Sequence, residues 1–272
     1  MATPLSIRKG LTETELAILS AIALRKVMST TQIVSICFDG SNAANLRQTQ
    51  RLLKKLKDKR LVISRPFHQA RQGFGTTTNI WAITKQGLKI SYYGSSELGV
   101  RLRRWKPRLS IHTLEHILAI TDTEIALKVL ENESGGNFRV ELIEHESSCW
   151  RKYDDEIQDG TWLKPDLYVE TSRLIDGKCF RFKWFLEVDL STERPCQILA
   201  KCQTYINYWC SVRPPTLPLI LWVVPDSDRK KSIGPKITDR FDKLAKFFEI
   251  TTTEKLADMM LDWLPNKEVG HV

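Results

Sequence analysis

The sequence predicts a mixed α+β or α/β chain with two domains. Residues 1–95 form a small domain, 96–110 a basic linker, and 111–272 a larger domain. The two domains differ in charge. Residues 1–110 contain 20 Lys or Arg and 5 Asp or Glu, whereas residues 111–272 contain 21 Lys or Arg and 27 Asp or Glu. The order of hydrophobic patterns also differs, with helices before a pair of strands in the first domain and helix, three strands, helix, strand in the second. This asymmetry favours a nucleic-acid-binding module joined to a chemically different domain.

The composition is that of a globular protein, with 42% hydrophobic and 27% charged residues among 272. The longest apolar run, 217–224, is too short to span a bilayer. The first residues, MATPLSIRKG, lack the apolar segment of a signal peptide. Six cysteines form no C-x-x-C pair, which is typical of reduced thiols. We therefore expect a cytoplasmic protein without a membrane segment.

Three helices and two strands are predicted in the first domain. Thr12 to Val27 opens with the capping pattern Thr-x-x-Glu, Thr30 to Phe38 is short and apolar, and Ser41 to Lys59 has a leucine stripe. Strand-like segments follow at 61–67 and 79–84, and a last helix starts near the second of them. Helix, helix, basic helix and a two-stranded wing is the order of a winged helix-turn-helix. The segment RLLKKLKDKRLV (51–62) resembles the end of the recognition helix and the first wing strand of bacterial winged-helix proteins, and the likeness covers residues 11–93.

The third helix is predicted to bind duplex DNA. Residues 41–60 contain seven Lys or Arg and one Asp, and a helix fits the major groove. The side chains expected to read base edges are Asn45, Arg47, Gln48 and Arg51. Those expected to hold phosphates are Lys54, Lys55, Lys57 and Lys59 on the helix. On the wing, Arg65, His68 and Arg71 are expected to reach the DNA backbone or the minor groove. The alternative is a protein-interaction module with a solvated basic surface, but the density of positive charge favours DNA.

The second domain is predicted to have the element order αβββαβ. The predicted elements are a helix at 111–133, strands at 138–145, 164–170 and 180–189, a helix at 195–210, a strand at 219–224, and covering helices at 239–248 and 253–263. Pro165-Asp166 opens the second strand, and Glu187 and Asp189 end the third on one strand face. The order and the acidic positions resemble the core of the restriction-endonuclease-like PD-(D/E)xK nuclease superfamily. We expect Asp166, Glu187 and Asp189 to converge on one Mg²⁺ (or Mn²⁺), with Asp122 or Glu124 as a fourth ligand.

One residue departs from the superfamily pattern, which has a lysine where this chain has Asp189. Lys201, on the following helix, is a candidate replacement. The catalytic residues are thus predicted to be Asp166, Glu187, Asp189 and Lys201. The alternative is that the acids are solvated strand ends and that Lys201 is an exposed helix lysine.

Two other patterns admit a different chemistry. His112-Thr-Leu-Glu-His116 fits the H-x-x-E-H pattern of inverted zinc metallopeptidases. It lies at a helix start without a third ligand, which favours a capping or packed histidine pair. A group of tryptophans is interpreted as core rather than as a base-stacking platform, namely Trp150, Trp162, Trp184 and Trp209.

The whole chain resembles the plasmid replication-relaxation family. The likeness spans residues 11–224 and is carried by the basic winged helix, His116, Asp122, Lys164-Pro-Asp166, Phe185-Leu-Glu-Val-Asp189, Lys201 and Tyr205. It implies a DNA-binding protein of a bacterial mobile element, acting in replication, relaxation or mobilisation, with a nuclease-like domain that cuts DNA with Mg²⁺ or serves as an inactive scaffold. The alternative is a non-catalytic transcriptional regulator whose second domain dimerises or recruits a partner. Implied partners are double-stranded DNA, a relaxase or another replication or transposition protein, and a second copy of the chain.

Overall fold

The computed structural model describes residues 3–40, 42–68, 77–106, 109–154, 160–214 and 216–263. The chain forms two compact units, Met1–Ile125 and Ala126–Val272, called here the N-terminal and C-terminal units. Each combines helices with β-sheet, which confirms the mixed α+β class. Within the described ranges, no helix has the length and apolarity needed to cross a membrane.

The helices of the N-terminal unit follow the predicted order, with two short ones added. Thr12 caps the second helix through the predicted capping box, in which its Oγ1 accepts the Glu15 N–H at 3.2 Å and the Glu15 carboxylate accepts the Thr12 N–H at 3.0 Å. The bounds are α1 (Pro4–Lys9), α2 (Glu13–Arg25), α3 (Thr30–Cys37), α4 (Ala43–Asp58), α5 (Lys85–Ser91), α6 (Leu98–Arg104) and α7 (Ile111–Glu133).

Three antiparallel strands complete this unit. They are β1 (Val27–Ser29), β2 (Val62–His68) and β3 (Thr77–Ile83), with β3 in the centre. The sequence predicted the β2–β3 hairpin but not β1, which has only three residues. The helices and the sheet share a core in which several side chains have no exposed surface, namely Ile18, Leu19, Ile22, Leu53 and Leu56.

The N-terminal unit extends past the expected domain boundary. The segment predicted as a linker contains α6, and Trp105 just after it donates from Nε1 to the Ile83 carbonyl at 3.2 Å. Farther on, Leu114 and Leu118 of α7 pack against Val27 and Phe67. The first part of α7 therefore belongs to the N-terminal unit, and the division falls after Ile125.

The C-terminal unit contains a five-stranded sheet in the order β10-β9-β8-β7-β4. The strands β4, β7 and β8 form an antiparallel meander, whereas β9 is parallel to β8 and β10 is parallel to β9. A separate hairpin, β5–β6, precedes β7. The bounds are β4 (Phe138–His145), β5 (Arg151–Tyr153), β6 (Thr161–Leu163), β7 (Leu167–Ile175), β8 (Lys178–Val188), β9 (Leu219–Val224) and β10 (Phe248–Thr252).

Helices α8 (Pro195–Val212), α9 (Ser227–Phe241) and α10 (Leu256–Asp262) complete the unit. Parallel strands need a crossover connection, and α8 supplies it between β8 and β9. Buried side chains of α8 and α9 share a core with the sheet. The helices contribute Ile198, Tyr205 and Ile237, and the strands contribute Phe185 and Ile220. The predicted helix over 239–248 is wrong, because that segment holds the end of α9, a 3₁₀ turn at Asp242–Phe247 and the start of β10.

Candidate functional site

Asp166 and Glu187 lie close together where β7 begins and β8 ends. Asp166 directly precedes β7, and its N–H donates to the Leu186 carbonyl at 3.2 Å, next to the ladder pair Leu167 and Leu186. The Asp166 side chain also accepts the Val188 N–H on Oδ2 at 2.8 Å, which ties it to the end of β8. The structure thus brings two of the predicted carboxylates together.

Glu187 is buried and bound by two side chains of α8. Its side chain is 1% exposed; Oε2 accepts from Lys201 Nζ at 2.8 Å, and Oε1 accepts from the Tyr205 hydroxyl at 2.6 Å. Lys201 and Tyr205 are four residues apart on one helix, so they lie on the same helix face. One turn of α8 therefore supplies both hydrogen-bond donors to the strand carboxylate.

The electrostatics of this cluster follow from burial and the neighbouring charges. Burial raises the pKa of Glu187 to about 7, while Lys201 opposes the rise and Asp166 adds to it. Burial alone lowers the pKa of Lys201, but the carboxylates of Glu187 and Asp166 outweigh it and raise that pKa. Burial and the same glutamate hold the pKa of Tyr205 well above its usual value, so its hydroxyl stays protonated and donates.

Lys201 is held in place by neighbouring side chains. The alternative interpretation, an exposed helix lysine, would have its side chain extended into solvent. Its side chain is 35% exposed, and its Nζ lies 3.6 Å from the Glu193 carboxylate and 5.5 Å from the centre of the Trp222 ring. Trp222 is the β9 residue that pairs with Glu187 across the parallel ladder. The ammonium therefore lies among two carboxylates and an aromatic face.

The third predicted carboxylate, Asp189, has a different partner. Its Oδ2 accepts from Arg229 Nε, and its Oδ1 accepts the Ser191 N–H at 3.0 Å. Arg229 also donates to the Glu193 carbonyl at 2.6 Å. The expected convergence of three carboxylates is therefore reduced to two, because a buried arginine engages Asp189.

The other predicted metal ligands are engaged inside the N-terminal unit. Asp122 accepts from Gln32 at 2.6 Å, and Glu124 forms a buried ion pair with Arg25. His112, of the H-x-x-E-H pattern, has a side chain that is 81% exposed. Among the described residues, no three His, Cys, Asp or Glu side chains are arranged to hold a metal ion.

The outer face of α4 carries most of the predicted DNA contacts. Residues of this face that are exposed to solvent are Arg47, Gln48, Arg51, Lys54 and Lys55, and Arg65 of β2 is exposed too. Asn45 differs, because its side-chain amide donates to the Gly40 carbonyl at 2.8 Å and closes the loop before α4. Arg71, predicted on the wing, lies outside the described residues.

Two residues of the site were not predicted as functional. Tyr205 had a local signal, since it follows Lys201 by one helical turn. Arg229 had none, because its contact with Asp189 depends on how α9 packs against the end of β8.

A family model described as replication-relaxation matches residues 19–215, well over half of the chain. No curated protein and no solved structure shows significant similarity to this chain.

Proposed function

Because the chain belongs to the replication-relaxation family, we propose that it is a DNA-binding protein of a bacterial mobile element that acts on duplex DNA during replication, relaxation or mobilisation. In this proposal the N-terminal unit is a winged helix, and the C-terminal unit is a PD-(D/E)xK nuclease-like domain. Family membership associates the chain with plasmid replication and relaxation.

The exposed cationic face of α4 carries the proposal of DNA binding. Helices α2, α3 and α4 precede the β2–β3 hairpin, and β1 pairs with β3, which is the element order of a winged helix. Arg47, Gln48 and Arg51 are exposed at one- and four-residue spacing on α4. Arg and Gln recognise guanine and adenine edges in the major groove. The lysines farther along α4 hold phosphates, which gives affinity without sequence information.

The cluster of Asp166, Glu187 and Lys201 carries the proposal of DNA cleavage. Its two carboxylates come from adjacent strands of an antiparallel meander, and its lysine comes from the crossover helix α8. In the nuclease superfamily the lysine usually follows the glutamate on the same strand. Here Lys201 lies at hydrogen-bonding distance from the glutamate itself, so it can take over the positioning of charge at this site.

Asp166 and Glu187 would hold the divalent ion. A bound Mg²⁺ or Mn²⁺ supplies an activated water and neutralises the charge that develops on the phosphate. In this proposal Asp189 pairs with Arg229, and the ion is held by the other two carboxylates. Lys201 orients the Glu187 carboxylate and provides positive charge toward a scissile phosphate. Tyr205 holds the other carboxylate oxygen in place.

Incubation of supercoiled plasmid with the full-length protein and Mg²⁺ or Mn²⁺ tests cleavage. Nicking that disappears in Asp166→Ala and Glu187→Ala supports the nuclease. The matched control is Asp258→Asn, an exposed acid of the same unit, which should nick as well as the wild type. Nicking that survives both site variants would contradict the assignment. A parallel titration of duplex DNA at several salt concentrations tests binding, for which we expect a steep loss of affinity with salt.

A second function, a non-catalytic transcriptional regulator, is favoured by one observation. Both oxygens of Glu187, and both of Asp189, already accept hydrogen bonds from the chain itself. In this alternative the C-terminal unit dimerises or recruits a relaxase or another replication or transposition protein. Tight duplex binding without nicking at high protein concentration would select the regulator, and a pull-down or a measured solution mass would separate recruitment from dimerisation.

A further inference from the structure

The four tryptophans interpreted as core separate into two groups. Trp184 and Trp209 are buried, as expected. Trp162 is 46% exposed, so its assignment to the core is wrong. Trp150 is half-buried, and its ring meets that of Trp162 edge to face, with 6.5 Å between the ring centres. A pair of indoles therefore reaches the surface of the C-terminal unit.

The β5–β6 hairpin holds Trp162 on its outward side. The inward residues are buried: Tyr153 packs its ring against Tyr208 of α8, with 5.7 Å between ring centres, and Leu163 is 2% exposed. Because side chains alternate along a strand, the pair Lys152 and Trp162 points the other way. The hairpin is thus fixed on the helix that carries Lys201, and its free face presents an aromatic ring beside a lysine.

This surface adjoins the start of the candidate site. Lys164, one residue past β6, is exposed and has its Nζ 5.1 Å from the centre of the Trp150 ring. The Cys149 thiol, next to Trp150, contacts the Pro165 carbonyl at 3.2 Å. The loop bearing Trp150 is therefore joined to the residue that precedes Asp166. The acidic residue Asp154 lies at the turn of the hairpin, at the end opposite Lys164.

We propose that Trp150, Trp162 and Lys164 form a platform for a single DNA strand, with an unpaired base stacked on Trp162 and a phosphate held by Lys164. Exposed aromatic rings beside cations are what single-stranded nucleic-acid sites use, since every base has a flat face that can stack. Lys152 on the free face of the hairpin and Lys164 just past β6 are both exposed, and their positive charge suits a polyanion. This inference rests on the proposed function, because a strand on the platform leads toward Asp166 and Glu187.

Binding of a labelled oligothymidine of about 12 nucleotides to the full-length protein, followed by fluorescence anisotropy, tests the platform. Trp162→Ala should weaken binding about tenfold, the cost of one lost stacked base, whereas Trp162→Phe should keep most of the affinity. Lys164→Ala should weaken binding and make it less sensitive to salt. The matched control is Phe180→Ala, because Phe180 is 39% exposed at the opposite end of β8; it should bind as the wild type does.

Stacking has its own readout, the quenching of a 2-aminopurine base in the oligonucleotide, which Trp162→Ala should reduce. Equal thermal unfolding of Trp162→Ala and Phe180→Ala shows that folding is not the cause of any loss. Wild-type affinity for the single strand in Trp162→Ala, or no single-strand binding by the wild type, overturns the platform. Duplex binding is titrated in parallel. If the wild type does not bind duplex DNA, the proposed function is contradicted. If the wild type binds duplex DNA but Trp162→Ala keeps the wild-type affinity for the single strand, only the platform is contradicted.

Discussion

Lys201 Nζ lies 2.8 Å from Glu187 Oε2, so the cation paired with this strand glutamate comes from the crossover helix. Asp189, two residues after the glutamate, pairs with Arg229. Each of the two carboxylates at the end of β8 thus has its own cation. This compensation allows both acids to be almost fully buried.

Glu187 should make the stability of the protein depend on pH. Its pKa is about 7 in the folded protein, against an ordinary value of 4.5. Between these values the folded state binds the proton more strongly than the unfolded state, so the contribution of Glu187 to stability falls as the pH rises through this window. This pH dependence is measured by the free energy of unfolding in urea of the wild type and of Glu187→Gln between about pH 5 and pH 8. The variant should gain stability relative to the wild type with rising pH; parallel curves would contradict the prediction.

Tyr205→Phe should destabilise the protein by about 1.5–3 kcal/mol, the usual contribution of a hydrogen bond to a charged group. The substitution removes the hydroxyl that donates to Glu187 Oε1 at 2.6 Å and leaves the buried ring in place. The free energy of unfolding in urea is the measurement. Tyr208→Phe, on the same helix, is the control and should cost less, because the Tyr208 ring packs against Tyr153 and Phe185. Equal losses would mean that the Glu187 contact adds nothing.

Arg229→Met should destabilise the protein by about 3 kcal/mol, because it leaves the Asp189 carboxylate buried without its cation. The arginine side chain is 10% exposed and the aspartate side chain 1%. The double variant Asp189→Asn with Arg229→Met should recover part of that loss, since it removes both charges. A double-mutant cycle of unfolding free energies isolates the coupling between them. Additive single losses would show that the pair is not coupled.

The sequence predicted best those elements whose signals are local. The bounds of α7, β4 and β9 coincide with the predicted segments, because a long amphipathic pattern ends at Gly135-Gly136 and alternating or apolar runs follow. The helix α9 was missed, since Pro235 lies inside it and its buried residues are few. The strand β10 depends on parallel pairing with β9, and non-local pairing leaves no periodic trace in the segment itself.

The candidate site divides in the same way. Asp166 and Glu187 were predicted because each stands at the end of a strand, where the ladder fixes which residues face each other. Lys201 was predicted by its position on the following helix. The partners of Asp189 and Asn45 were not predictable, since Arg229 approaches from α9 and the Gly40 carbonyl is turned toward Asn45 by a loop with φ of +83° at Gly40.

The different contacts of Arg51 and Asn45 should separate DNA affinity from stability. Arg51 is exposed on α4 and is proposed to contact a base edge, so Arg51→Ala should weaken duplex binding by about 1–3 kcal/mol. Asn45 donates to the Gly40 carbonyl at 2.8 Å, so Asn45→Ala should lower the free energy of unfolding by about 1 kcal/mol and leave the salt slope unchanged. Anisotropy titrations at several salt concentrations and urea unfolding measure the two effects. Lys231→Ala, an exposed lysine of the C-terminal unit, is the control for lost charge. A larger loss of affinity in Asn45→Ala than in Arg51→Ala, at unchanged stability, would mean that Asn45 leaves Gly40 to read a base.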